Sequence, residues 1–329
     1  MLLTPGRKRL SVEIEPPKLS SKEASTEEFL EKIRTLSEFS DLVSITNRHT
    51  FHMATLTAIK KALTVLRQLT VLQSIGLLMH LTTRVSAIET YKLLQDARDV
   101  GVEHFLPLMG DPRGPVAAGF FKNSLDLLRF VSFLSTGEQK FLEQIKDLNY
   151  LMDEPPPPIE KNNFQVGTVV DPNPTRWVVN REVEIREKEI KLVDLKVQAG
   201  ATYFISQAFF LADYFFDFLD NLTEPVEIGA GLIPARLPLT KRIGVPMPFE
   251  ARKCLQSAVD TNDRIRLGNK ISAQVREDLE FRGAKWIHVY SFGALENVYD
   301  ILGEDSEFLK RRGQTGARKQ LGSIFSRSV

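Results

Sequence analysis

The chain is predicted to fold as an α/β protein, a single-domain (β/α)8 TIM barrel. Three features of the sequence predict it. Eight short, near-continuous apolar runs are spread over 329 residues, longer segments of helical spacing separate them, and polar residues end most of the runs. A strand buried on both faces loses the alternation of a half-exposed one and reads as an unbroken apolar stretch, the mark of a parallel sheet. Parallel strands need crossover connections, and eight such units close most simply into a barrel, with an open doubly wound sheet as the alternative.

Taken in order, strands are predicted at 10–15, 42–46, 77–82, 104–109, 165–170, 203–209, 226–234 and 286–292. A helix at 26–39 follows the first, with Phe29, Leu30, Ile33 and Leu36 on one stripe. Ile59, Leu63 and Leu66 repeat that spacing in 56–69, and Ile190, Val193 and Val197 lie behind a charged outer face in 184–198. Between strands four and five lies an insertion, 135–163, with a helical stretch at 138–151 followed by Pro155 to Pro158. Four prolines exclude helix interior and predict an extended spacer leading back to strand five. After strand seven, 239–248 holds Pro246 and Pro248 and no helical repeat, so the outer helix is predicted to be shortened or missing, with a late helix near 249–259. The barrel is thereby assigned to 1–302 and a basic C-terminal tail to 303–329. Lys310, Arg311, Arg312, Arg318, Lys319 and Arg327 in that tail read as a solvated flexible segment, a binding arm being the alternative.

At 43% hydrophobic and 26% charged the composition is that of an ordinary globular chain. The length suits one barrel, which needs neither disulfide nor metal to build its core. The one cysteine, Cys254, cannot form an internal bridge. Asp213 and Asp217 interrupt the richest apolar stretch, and Met1 to Arg9 lacks a signal-peptide core. The expectations are no membrane span and a cytoplasmic location. A net charge of +1 gives no general attraction to nucleic acid.

In a parallel barrel, functional groups gather where the strands end and the βα loops begin. The predicted ends carry Glu13 and Glu15, Thr46, His80 with Thr82, Asp111 after Met109 and Gly110, Asp171, Gln207 and Pro234. Polar groups at the ends of so many apolar runs point to one ligand pocket built from several loops. Glu13, His80 and Asp111 lack close metal-ligand spacing, so no metal is expected. Neither a G-x-S-x-G elbow nor a P-loop is present.

These residues resemble a family. Ser11-Val12-Glu13-Ile14-Glu15-Pro16-Pro17 is similar to the opening "S-F-E-F-F-P-P" strand of the methylenetetrahydrofolate reductases. Val43-Ser44-Ile45-Thr46 resembles their second strand, His80-Leu81-Thr82 their "H-L-T", and Gly110-Asp111 the end of their "R-G-D". Lys196 to Ala201 followed by Ile205 to Phe210 is similar to "K-x-D-A-G-A" and "I-T-Q-x-F-F". Ile233-Pro234 with Leu237-Pro238 resembles "I-P-G-I-x-P", and His288-Val289-Tyr290 resembles "H-F-Y". The similarities come in family order, and the series is more specific than any member of it.

The resemblance implies a flavoprotein of one-carbon metabolism that reduces the methylene group of a reduced pterin, 5,10-methylenetetrahydrofolate or a methanopterin analogue, to the 5-methyl form. It implies Glu13 as the general acid that opens the methylene bridge and Asp111 beside flavin and pterin as the second catalytic group. A carboxyl shielded at a barrel mouth can hold its proton near neutrality, as that role needs. Cofactor contacts are implied for Thr46, His80, Thr82, Gly110, Asp111, Ser124 and Lys196, and substrate contacts for Gln207, Phe209 and Glu13. From the residues alone, His80 reads first as a satisfied core histidine and Glu15 as a structural group, and Lys196 has the alternative of an outer helix charge. FAD is the implied flavin, with FMN as the variant, and NAD(P)H or a protein partner supplies electrons. Self-association is also implied.

The departures from the family are specific. Met109 replaces the arginine of "R-G-D", Asn123-Ser124-Leu125-Asp126 lacks the tyrosine of "Y-A-x-D", and strand five ends in Val170-Asp171-Pro172 in place of "Y-P-E-x-H". Strand eight ends in Phe292-Gly293, and the segment that lays an aromatic on the nicotinamide is shortened. Flavin-ring and pterin positions persist while those for the adenine half of FAD and for NAD(P)H do not. Two alternatives follow: a flavin- or pterin-binding barrel subunit of a larger redox or methyl-transfer complex, and a pterin-dependent methyltransferase.

Overall fold

The computed structural model describes residues 8–16, 23–46, 76–110, 120–159, 164–178, 181–303 and 309. The helix expected at 56–69, Asp111 and the basic residues of the tail lie outside them. Among the described residues, eight parallel strands close into a barrel. In chain order the elements begin β1 (Arg9–Ile14), α1 (Glu23–Ser37), β2 (Leu42–Ile45), β3 (Gly76–Thr82), α2 (Ala87–Asp99), β4 (His104–Leu108) and α3 (Ser124–Thr136). Two short helices, α4 (Lys140–Glu143) and α5 (Leu148–Leu151), lead to β5 (Gln165–Val170) and an outlying hairpin, β6 (Thr175–Val178) with β7 (Arg181–Glu184). Then come α6 (Arg186–Gln198), β8 (Tyr203–Ser206), α7 (Ala212–Asp220), β9 (Ile228–Leu232) and α8 (Leu237–Ile243). The chain continues through α9 (Phe249–Gln256), α10 (Thr261–Phe281), β10 (Trp286–Tyr290) and α11 (Leu295–Leu302). Around the barrel the order is β1-β10-β9-β8-β5-β4-β3-β2. The eight expected strands are these eight.

Side-chain parity divides the core into two layers. Leu10, Val12 and Ile14 of β1 join Phe29, Ile33 and Leu36 of α1 in the layer between sheet and helices. The alternate positions point inward, where Leu42, Leu78, Leu106, Tyr203, Ile205 and Trp286 fill the lower barrel. Each helix is held by the stripe that meets the sheet. In α7 that stripe is Ala212, Phe215 and Phe218; each buried phenyl contributes about 2–3 kcal/mol by leaving water. The helices begin and end at local signals. Ser86 accepts from Glu89 N to open α2, Asn123 accepts from Asp126 N at 2.8 Å to open α3, and Gly137 at φ +75° closes it.

Two expectations are corrected. The stretch 138–151 is two four-residue helices, because Asp147 leaves helical backbone (φ −123°, ψ 40°) with its carboxylate accepting from Lys122 Nζ at 2.8 Å. The helix placed at 184–198 begins at Arg186, since Glu184 belongs to β7. After the seventh barrel strand the helix that follows directly is short, the seven residues of α8, and α9 lies where the late helix was expected; the 21-residue α10, which was not expected, then covers the barrel. Pro238 sits in the first turn of α8, where its missing N–H costs nothing, and Asp260 accepts from Asp263 N to start α10. Gly268 lets α10 approach closely, since an added Cβ would meet Ala235 O. Pro155 to Pro158 lie outside helix and strand as expected, and the segment is tied back by Ile159 N donating to Leu134 O at 2.9 Å.

Candidate functional site

The upper barrel is polar where the lower barrel is apolar. Register sets Glu13 of β1 opposite Tyr290 of β10 on one side and Ser44 of β2 on the other. His80 of β3 donates or accepts at Ser44 Oγ through Nε2, 2.8 Å away, and the same nitrogen lies 3.9 Å from Glu13 Oε2. The side chains of Glu13 and His80 are 13% and 8% exposed, so the pair interacts with little water between.

One layer below, Ser11 Oγ accepts from Trp286 Nε1 at 2.8 Å and lies 2.7 Å from His288 Nδ1. His288 is fully buried, and burial first, then His80, push its imidazole down to a pKa of about 3. It is therefore neutral at ordinary pH. Among the described residues its Nε2 has no hydrogen-bond partner. The ring of Tyr290 stands edge-on to that of His288 at 4.5 Å, and its hydroxyl donates to Ser206 O at 2.8 Å. Burial, together with the charges of Glu13 and Asp171, holds the phenol well above its ordinary pKa, so it stays protonated. Gly231 makes room for this ring: an added Cβ would meet Ser206 O and, at 2.9 Å, the tyrosine ring itself.

On the opposite side of the mouth, Asp171 follows β5 and Gln207 follows β8. Burial raises the pKa of Asp171 above that of an ordinary carboxyl, an effect opposed by its bonds from Asn173. Gln207 is half-buried, with its N–H on Val170 O at 2.6 Å and its Oε1 accepting from Ala208 N at 3.1 Å. Thr46 and Thr82 end β2 and β3, are 8% and 2% exposed, and each carries a buried hydroxyl without a partner among the described residues.

The structure thus gathers Glu13, His80, Thr46, Thr82 and Gln207 at the strand ends. Other predicted residues lie elsewhere. Phe209 is 1% exposed in the outer layer, stacked on Phe215 of α7 at 5.4 Å and 15°. Lys196 is buried under β5 with Nζ donating to Val169 O at 2.5 Å, and burial lowers its pKa. Ser124 is half-buried in the first turn of α3, and Gly110 takes a left-handed backbone (φ +73°) just past β4. The Glu15 carboxyl packs against Gly293 at the end of the last strand. Sequence reasoning left Ser11, Ser44, His288 and Tyr290 without roles at the site. Counting back by two from Glu13 and across the register would have found them. Among the described residues no group of three or more His, Cys, Asp or Glu side chains could hold a metal ion, and no helix is long and apolar enough to cross a membrane.

Residues 2–154 match the family model described as methylenetetrahydrofolate reductase, a stretch that carries β1 to β4 and ends after α5. Among solved structures, an uncharacterized protein from Clostridium thermocellum that binds two copies of 5-methyl-5,6,7,8-tetrahydrofolic acid is similar. Its identity is 17%, covering 90% of this chain and 93% of that one, with a TM-score of 0.53. At that identity the likeness is one of fold. A dihydropteroate synthase from Xanthomonas albilineans, solved with 4-aminobenzoic acid, is 14% identical over 90% of this chain and 91% of that one, with a TM-score of 0.47. No curated protein matches the chain.

Proposed function

We propose that this chain, whose residues 2–154 match the methylenetetrahydrofolate reductase model, belongs with that family, binds a reduced folate-type pterin in the barrel mouth and converts a methylene group on it to the methyl form. One observation carries the reading. Glu13, a shielded carboxyl on the first strand, faces a mouth in which His80, Tyr290, Asp171 and Gln207 supply the other polar groups. Opening a methylene bridge between two nitrogens requires a proton at the leaving nitrogen, and a carboxyl with little solvent access suits that task. His80 Nε2 at 3.9 Å and the Tyr290 backbone beside it set the position of Glu13. Gln207 and Asp171 offer complementary hydrogen-bonding groups to the ring. The folate bound by the Clostridium thermocellum protein supports the substrate class.

The residues at the ends of β2 and β3 fit the ring of a flavin. Among the described residues Thr46 Oγ1 and Thr82 Oγ1 are buried hydroxyls with no partner, and such groups call for a polar ligand edge. Bound there, a flavin would supply the hydride. Thr46, Thr82 and His80 would hold its ring, and Glu13 would face the substrate nitrogen as the proton donor. Purified protein is expected to be yellow and to bleach on reduction. Glu13→Gln is expected to keep the colour and lower methyl-pterin formation about 100-fold or more. Colourless protein with no affinity for 5-methyltetrahydrofolate refutes the reading.

A second reading rests on Lys196. Its ammonium is engaged by Val169 O and buried, which leaves it no part in holding a cofactor phosphate. A barrel that binds a pterin without flavin, as a methyltransferase or as a subunit of a methyl-transfer complex, accommodates that observation. An absorption spectrum of the isolated chain separates the two.

A further inference from the structure

Asp171 follows β5 with the inward parity of Gly167 and Val169, whose register partners on β8 are Tyr203 and Ile205. Two residues further along, the same register sets Asp171 beside Gln207. Asp171 is 6% exposed and uses one oxygen twice: Oδ1 accepts from Asn173 N at 3.2 Å and from Asn173 Nδ2 at 2.7 Å. Asn173 is wholly buried, and its Nδ2 also donates to Ala208 O at 2.9 Å, so the loops after β5 and β8 are tied together around this carboxyl. A carboxylate has about four acceptor positions. Among the described residues nothing donates to Oδ2, and no lysine or arginine lies within 4.0 Å of it. Gln207 presents the opposite polarity. Its Oε1 is fixed by Ala208 N, which leaves Nε2 as the free arm, a donor.

We propose that Asp171 is a specificity-determining residue, forming with Gln207 an acceptor–donor edge that reads the lactam–amidine side of the pterin ring. Gln207 Nε2 donates to the 4-oxo oxygen, and Asp171 Oδ2 accepts from N3–H and the 2-amino group. The charges of Arg176 and Lys196 reach this carboxylate without an ion pair to it, so its open oxygen needs N–H donors to offset burial, and this ring edge offers two adjacent ones. The proposal rests on the pterin reading above and deepens it. In the family resemblance the carboxyl at the ring is Asp111, from a different strand end, so the two assignments compete.

The test is a titration of the full chain with 5-methyltetrahydrofolate and with its 2-desamino counterpart. Wild-type protein is expected to prefer the 2-amino ligand by about 10- to 100-fold, the range for hydrogen bonds to a charged group. Asp171→Asn, which keeps the shape of the side chain, is expected to lose most of that preference, and Asp111→Asn to keep it. Wild-type protein binding both ligands equally overturns the proposal without any variant, and so does Asp111→Asn removing the preference while Asp171→Asn retains it. Wild-type protein binding neither ligand overturns the pterin reading and this proposal with it.

Discussion

The neutral imidazole of His288 makes the stability of this barrel sensitive to acid, by an amount the structure sets. The ring is fully buried and its pKa is depressed to about 3, whereas an unfolded chain binds that proton at about 6.5. The sign follows from proton counting. Between those values the unfolded state carries a proton that the folded state excludes, so stability is complete above pH 6.5 and is lost progressively as the pH falls toward 3. From pH 7 to pH 5 this group alone costs about 2 kcal/mol, and over the whole window about 5 kcal/mol, on the linkage of 1.36 kcal/mol per pKa unit. Carboxylates add their own slopes, so the decisive measurement is a difference. Denaturant unfolding at pH 7, 6 and 5 is compared between wild-type protein and His288→Asn, whose amide oxygen can still meet Ser11 Oγ but does not titrate. The variant begins less stable, having lost ring contacts with Tyr290. Its further loss between pH 7 and pH 5 is expected to be smaller than that of wild type by about 2 kcal/mol. Equal losses in the two proteins would refute the claim that the fold holds His288 neutral.

Two further predictions concern packing. Gly231→Ala forces a Cβ against Ser206 O and the Tyr290 ring, so it is expected to destabilise the barrel by about 1–3 kcal/mol and to weaken pterin binding, read by thermal melting and titration. Phe218→Ala empties a wholly buried position under α7 and is expected to cost about 3–5 kcal/mol with no change in ligand preference, as denaturant midpoints and titrations on the surviving folded protein would show.

Much of this architecture is legible in the amino-acid sequence, and the reason is burial. The barrel strands are covered on both faces over most of their length, so each leaves a near-continuous apolar run, and all eight fall where those runs lie. The features that escaped are those that burial does not write into the sequence. The β6–β7 hairpin stands apart from the barrel sheet and has no long apolar stretch. The break at Asp147 interrupts a stretch whose apolar residues, Phe141, Leu142, Ile145 and Leu151, still all turn inward. The long helix after β9 begins only after two shorter ones, α8 and α9.

The site divides the same way. Residue types and strand-end positions name Glu13, Thr46, His80, Thr82 and Gln207 before any coordinates, because a parallel barrel sends its functional groups to one rim. Sequence order alone could not bring His80 within 3.9 Å of Glu13, turn Phe209 outward onto Phe215, or bind the Lys196 ammonium to Val169 O. Those outcomes depend on the register with which distant strands meet and on where each strand stops. β8 ends at Ser206, so the alternation that points Gln207 inward no longer governs Phe209 two residues later. Local periodicity, a property of neighbouring residues, decides which elements form. Closure of the sheet, a property of strands far apart in the chain, decides which side chains share the mouth.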